Sequence, residues 1–179
     1  MTQTGKLYGE ALYSLAAEEN LAKPIGDELV VLKESFAAEP NFLRLLCTHN
    51  LSKAERCAIL DGSFRRKLHP YVLSTLKILT NKGYIRHFAA CCDAYKTFYN
   101  RDHGILVVTA VSAVPLTQRQ SAKLKEKLST VTGKTITLRN KVDSACYGGL
   151  RLEYDGKRID DTVAYHLDAI RNLLKNTAL

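Results

Sequence analysis

The 179-residue chain has no run of 18 apolar residues, so no segment is expected to span a membrane. Its opening, MTQTGKLYGEALYSLA, lacks the basic-then-apolar order and cleavage site of a secretory signal, and nothing resembles an arginine-rich transit peptide. The expected location is the bacterial cytoplasm. Paired C-x-x-C spacing is missing too. The five cysteines (47, 57, 91, 92 and 146) are odd in number with two adjacent, which argues against a disulfide framework or a zinc site. Cys57 and Cys92 fall on apolar helical positions and are expected as buried, reduced thiols. Internal repeats, low-complexity tracts and long flexible linkers are also absent.

Motifs for chemistry are equally scarce. A phosphate-cradling loop needs a glycine-rich run opening directly onto a helix, whose free N–H groups face the anion. Gly148-Gly149 runs instead into Leu150, Leu152 and Tyr154 alternating with Arg151 and Glu153, the pattern of a strand. Asp155, Asp160 and Asp161 lack the tightly spaced oxygens and terminal glutamate of a calcium loop, so neither metal nor cofactor is expected. The histidines at 49, 69, 87, 103 and 166 are scattered near helix ends or on polar faces, outside any nucleophile motif. His103 suits a helix C-terminus better than acid–base work. An RNA-binding sheet would interleave aromatic and basic residues on its strands, and these strands offer only Tyr154 and Tyr147. A basic nucleic-acid-binding adaptor is left as the secondary reading.

What the chain does have is helical periodicity. With 46% hydrophobic and 25% charged residues, it has the composition of a soluble globular protein. Tyr8, Ala11, Leu12, Leu15 and Ala16 repeat at helical spacing. Pro24 suits a first helical position, and Ile25, Leu29, Leu32 and Phe36 follow on one face. Pro40 opens a short segment carrying Phe42, Leu43 and Leu46. Ser52-Lys53-Ala54-Glu55 is a capping box ahead of Cys57, Leu60 and Phe64. Pro70 opens a fifth helix bearing Val72, Leu73, Leu76 and Leu79, closed by Gly83. A sixth carries Ile85, Phe88, Ala89, Cys92, Tyr95 and Tyr99, and Gly104 stops it. Six amphipathic helices with short joints make a bundle over residues 1–104.

After Gly104 the character changes. ILVVTAV, residues 105–111, is β-branched and too short for a helix, so a buried strand is expected. Thr117 and Gln120 cap a helix with Leu124, Leu128 and Val131, ended by Gly133. TITLRNKV alternates as a strand, and Asp155-Gly156 between two extended runs signals a two-residue hairpin. Thr162 caps a last helix with the stripe Val163, Leu167, Ile170 and Leu174. The order β-α-β-β-β-α implies a small sheet with helices packed against it over residues 105–179. The whole is an α+β chain, a six-helix bundle followed by a small α/β domain, jointed at residues 100–104.

Net charge is +8, which suggests an acidic partner. Residues 1–104 contribute +3 and residues 105–179 contribute +5. The longest basic run is only Arg65-Arg66-Lys67, so the excess reads as a dispersed, solvated surface.

Taken together, these segments resemble one family. YGEALYSLA is similar to the Tyr-Ala-x-Ala-Leu-x-x-Ala opening of the δ subunit of bacterial F-type ATP synthase, a relative of the mitochondrial oligomycin-sensitivity-conferring protein. LSKAERCAIL and LKILTNKGYI look like its middle helices. The most specific part is Asp143, a small gap, Gly148-Gly149 and LRLEYDGKRIDDTVAYHL. It is similar to the family's Gly-Gly strand, charged turn, Ile-Asp, small hydroxyl residue and long final helix. The likeness spans essentially the whole chain in order. Gly9 stands where the family usually has alanine, Asp161-Thr162 where Gly-Ser is common, and Cys146-Tyr147 where an aliphatic residue is typical.

The resemblance implies a non-catalytic stator subunit of the proton-translocating complex, peripheral at the cytoplasmic face of the bacterial cell membrane. It implies that the bundle binds N-terminal helices of α subunits between its first and fifth helices. Tyr8, Ala11, Leu12 and Leu15 are the candidates on the first, and Leu76, Ile78 and Leu79 on the fifth. A helix-in-groove contact needs an apolar furrow, and a bundle core need not consume both Tyr8 and Ile78. The C-terminal domain is expected to grip the C-terminal region of the b stalk. Gly148 and Gly149 are expected to permit close backbone approach, Asp155 and Gly156 to turn the chain, and Asp160 and Thr162 to set the start of the final helix.

Overall fold

A computed structural model of the chain describes residues 2–48 and 51–177, with side chains described as far as residue 170. His49 and the side chain of Leu174 lie outside the described residues. The chain divides into two units, Met1–Asn100 and Arg101–Leu179, each with its own core.

The first unit contains α1 (Gln3–Glu18), α2 (Ala22–Ala38), α3 (Pro40–Cys47), α4 (Lys53–Phe64) and α5 (Pro70–Asn81), then a 3-10 turn (Ile85–His87) running into α6 (Phe88–Asp102). Local signals place most of these ends. Pro40 and Pro70 open their helices. Ser52 Oγ accepts from Glu55 N at 3.2 Å while Glu55 Oε2 accepts from Ser52 N at 2.8 Å. Pro24 is a correction: α2 starts at Ala22, two residues ahead of it. A proline is harmless there because the first four helical N–H groups have no carbonyl to bond.

The apolar face of α2 is buried as its periodicity demands, at Ile25, Leu29, Leu32 and Phe36. Phe36 meets Phe42, Phe64 and Phe88 at ring separations of 5.1 to 6.2 Å, tying four helices together. Helix α1 lies close against α6. A β-carbon on Gly9 would sit 2.5 Å from the Cys91 carbonyl oxygen, and one on Gly5 would sit 2.7 Å from Ala90 Cβ. This close crossing is the physical reason for glycine, rather than alanine, at position 9. Cys92 is buried as expected, but Cys57 is only half-buried, with Sγ 3.4 Å from Asn81 Oδ1.

The second unit contains β1 (Ile105–Ser112), α7 (Gln118–Thr132), β2 (Thr135–Val142), a 3-10 turn (Ser144–Cys146), β3 (Gly149–Tyr154), β4 (Lys157–Thr162) and α8 (Val163–Thr177). The sheet order is β2-β1-β3-β4, with β1 and β2 parallel and the other pairs antiparallel. Leu106, Val108 and Ile136 form the buried centre, and Leu128 of α7, Leu138, Leu152 and Tyr154 pack around it. Asp155 (φ 46°) and Gly156 (φ 75°) both take the left-handed conformation, making the tight turn between Tyr154 and Lys157.

One expectation fails here. The stripe of α8 does not pack on the sheet: Val163, Leu167 and Ile170 are 45%, 55% and 53% exposed. The helix leaves β4 with no intervening loop, and its main neighbours are β4 and the Ser144–Cys146 turn. Val131 of α7 is likewise exposed, at 84%. Among the described residues, no helix is long and apolar enough to cross a membrane.

Candidate partner-binding surfaces

Helices α1 and α5 are neighbours, and a hydrogen bond from the Tyr71 hydroxyl to Glu19 pins the start of α5 to the end of α1. The far flank of α5 faces α4, where Lys77 pairs with Asp61 at 2.6 Å and Asn81 meets Cys57. Ile78 lies seven residues, about two turns, beyond Tyr71, on the same side of α5. It is 47% exposed. On α1, Tyr8, Ala11 and Leu15 repeat at three- and four-residue spacing along one side. Tyr8 is half-buried, while Ala11 and Leu15 are exposed.

The remaining groove candidates have a different place. Leu12, Leu76 and Leu79 are buried in the bundle core, at 2% exposure or less. They hold the helices together and are unavailable to a partner. Of the seven residues, the structure leaves Ala11, Leu15 and Ile78 open, with Tyr8 at the margin.

In the second unit the final stretch is built around backbone proximity. Gly149 has φ +78°, and a β-carbon on it would lie 2.2 Å from the Asp161 carbonyl oxygen. Gly148 is less constrained: its β-carbon would meet Val163 Cγ2 at 3.4 Å, an ordinary contact, and its carbonyl accepts from Val163 N at 3.1 Å. Asp160 Oδ1 accepts from Thr162 N and Oγ1, and Thr162 Oγ1 accepts from Tyr165 N at 3.2 Å, which caps α8. The Arg158 guanidinium and the threonine together hold the Asp160 carboxyl below its ordinary pKa, with the Arg158 bond the larger cause.

Sequence reasoning missed two features. The exposure of the α8 stripe has no sequence signal, because an apolar stripe does not say what covers it. A furrow of about 240 Å³ between α2 and α6, with Gly26, Val30, Tyr95 and Tyr99 among its lining, was signalled only by a glycine inside a helix. Tyr95 is fixed in that furrow by donating to Ala22 O at 2.8 Å. Burial pushes the Cys91 thiol up to about 12 and the Cys92 thiol higher still. Among the described residues, no three His, Cys, Asp or Glu side chains are grouped to hold a metal ion. His69 caps α5, its Nδ1 accepting from Tyr71 N, and His166 sits 2.8 Å from Asp161.

Comparison with known proteins matches the chain along almost its full length. The profile of the family described as ATP synthase delta (OSCP) subunit covers residues 5–174. ATP synthase subunit delta of Clostridioides difficile (strain 630) is 28% identical over 168 residues, which is 93% of this chain and 93% of the relative. The protein of the same name from Enterococcus hirae is 29% identical over 171 residues, 95% of this chain and 94% of the relative. A chain in the cryo-EM structure of the Toxoplasma gondii mitochondrial ATP synthase hexamer has the same fold, with a TM-score of 0.76 at 18% identity. That match covers 97% of this chain and 98% of the other.

Proposed function

Because the chain belongs to the ATP synthase delta (OSCP) subunit family, we propose that it is a non-catalytic subunit of the peripheral stalk. It links the catalytic head to the membrane-anchored b stalk and resists the torque of rotary ATP synthesis. Its place is the cytoplasmic face of the membrane, reached through the complex rather than through a span of its own. The observation that carries the reading is an apolar surface left over in each unit after its own core is complete.

In the first unit that surface is the seam of α1 and α5. Tyr8, Ala11, Leu15 and Ile78 take the N-terminal helix of an α subunit by laying its apolar side into the seam. In the second unit it is the stripe Val163, Leu167 and Ile170 of α8, which takes the C-terminal region of the b subunit. Leu12, Leu76 and Leu79 shape the seam from behind without touching the partner.

Calorimetry with a peptide from the N-terminus of the cognate α subunit tests the first contact. Leu15→Asp or Ile78→Asp is expected to weaken binding roughly tenfold or more, since each places a charge in an apolar contact, with the far-UV spectrum unchanged. Full affinity in both variants would place the α contact elsewhere.

A further inference from the structure

The positive charge is less dispersed than its sequence runs suggest. Residues 117–142 carry Arg119, Lys123, Lys125 and Lys127 on α7, then Lys134, Arg139 and Lys141 on the turn and β2. Against these seven stands Glu126 alone, so this segment holds a net +6 of the chain's +8. The rest of residues 105–179 has five basic and six acidic residues, a net of −1. Strands β2 and β4 are the two edges of the sheet, so the unit is strongly positive at one edge and balanced at the other, where Lys157 and Arg158 stand with Asp160 and Asp161 on β4.

Arg119, Lys123 and Lys127 recur every four residues along α7, about one per turn. Leu124 and Leu128 occupy the half-buried side, Leu128 against the sheet core. Because Ile136 and Leu138 share that face of β2, Arg139 and Lys141 project from the opposite one, and the charge wraps the edge. Asn140 ties β2 to β1 and to the loop ahead of α7, donating to Ala110 O and Ser112 Oγ and accepting from Leu116 N at 3.0 Å.

All seven basic residues are exposed, and among the described residues none takes part in an ion pair. On β3 and β4, by contrast, Arg151 pairs with Glu153 and Arg158 with Asp160. Like charges a turn apart weaken a helix, and Glu126 is the one carboxylate on α7 that offsets them.

We propose that the α7–β2 edge docks an acidic helix of a neighbouring protein subunit, one that presents carboxylates about a turn apart. Residues 117–142 contain no aromatic side chain on which single-stranded bases would stack. With Leu124 and Leu128 turned inward, α7 exposes only Ala122 and the terminal Val131, too little apolar surface to enter a lipid interface. Rows of amines and carboxylates at matching helical spacing complement each other across a helix pair. The surface is separate from the α8 stripe, which adjoins the other edge. Only the identity of the assembly rests on the proposed function.

The test uses the purified ATP synthase complex and a carbodiimide, which joins amines to carboxylates in contact. Lys123 and Lys127 are expected in cross-links to Asp or Glu of another subunit. Both should also react roughly tenfold more slowly with an amine reagent in the complex than in the free full chain. The full chain carrying Arg119→Glu, Lys123→Glu and Lys127→Glu should rebind depleted complex roughly tenfold more weakly at low salt, the gap narrowing as salt rises. If that variant fails to fold, Lys123→Gln with Lys127→Gln gives the same reading with a smaller loss. Unchanged labelling without cross-links overturns the proposal. So does equal protection of these lysines by anionic vesicles or duplex DNA alone, which would assign the edge to phosphates. Absence of the chain from the purified complex would instead overturn the stalk assignment, and this inference with it.

Discussion

The Asp160 carboxylate accepts from Arg158 Nε at 3.0 Å, from Thr162 N at 3.2 Å and from Thr162 Oγ1 at 2.7 Å, and the same threonine oxygen caps α8. These bonds favour the ionised form, and the Asp160 pKa falls below its ordinary 3.8, led by Arg158. A carboxyl with a depressed folded-state pKa stabilises the fold above its unfolded value and loses that contribution as pH falls through the folded value. The C-terminal unit is therefore expected to lose stability to acid below the ordinary aspartate range. Asp160→Asn should be less stable near neutral pH but flatter across the acid limb. Thermal unfolding followed between neutral and strongly acid pH checks this, and parallel profiles for the two proteins would remove Asp160 from the account.

At the scale of elements, the meeting of β3 and β4 turns on Gly149. Any β-carbon there faces a left-handed backbone and the Asp161 carbonyl oxygen at 2.2 Å. Gly149→Ala is expected to cost the C-terminal unit about 1–3 kcal/mol and to loosen the start of α8, which follows directly from β4. Hydrogen exchange of the β3–β4 amides reads the change, and protection equal to wild type would mean the strand pair can shift to accommodate the methyl group. Elements of this kind were legible in the sequence because their signals are local. The Ser52–Glu55 box, Pro40, Pro70 and the Asp155-Gly156 turn each act within a few residues. The crossing of α1 and α6 was not legible, since Gly9 meets Cys91 and Ala94 some eighty residues away and no periodicity encodes that pairing. The candidate seam was half legible for the same reason. Spacing gathers Tyr8, Leu12 and Leu15 on one helix, and Leu76, Ile78 and Leu79 on another. Only the packing decides that Leu12, Leu76 and Leu79 go inward while Leu15 and Ile78 stay open.

Over the whole molecule, the two cores share no residue: one draws on residues 8–99 and the other on residues 106–154. Each helix end and strand pair described above belongs to one core or the other, so a perturbation confined to one core should be felt in that unit alone. Gly9→Ala is then expected to lower the first unit's stability by about 1–3 kcal/mol, through a methyl group forced against α6, and to leave the second unmoved. Ligand linkage gives the converse. An α-subunit N-terminal peptide at about 100 times its Kd should raise the stability of the first unit by about 2.7 kcal/mol and that of the second by nothing measurable. It should do so equally in wild type and in Gly149→Ala. Residue-resolved hydrogen exchange, with and without peptide, separates the two responses. If the peptide protects both units to the same extent, they unfold as one cooperative body, and assigning the head contact to the bundle and the stalk contact to the sheet domain fails with it.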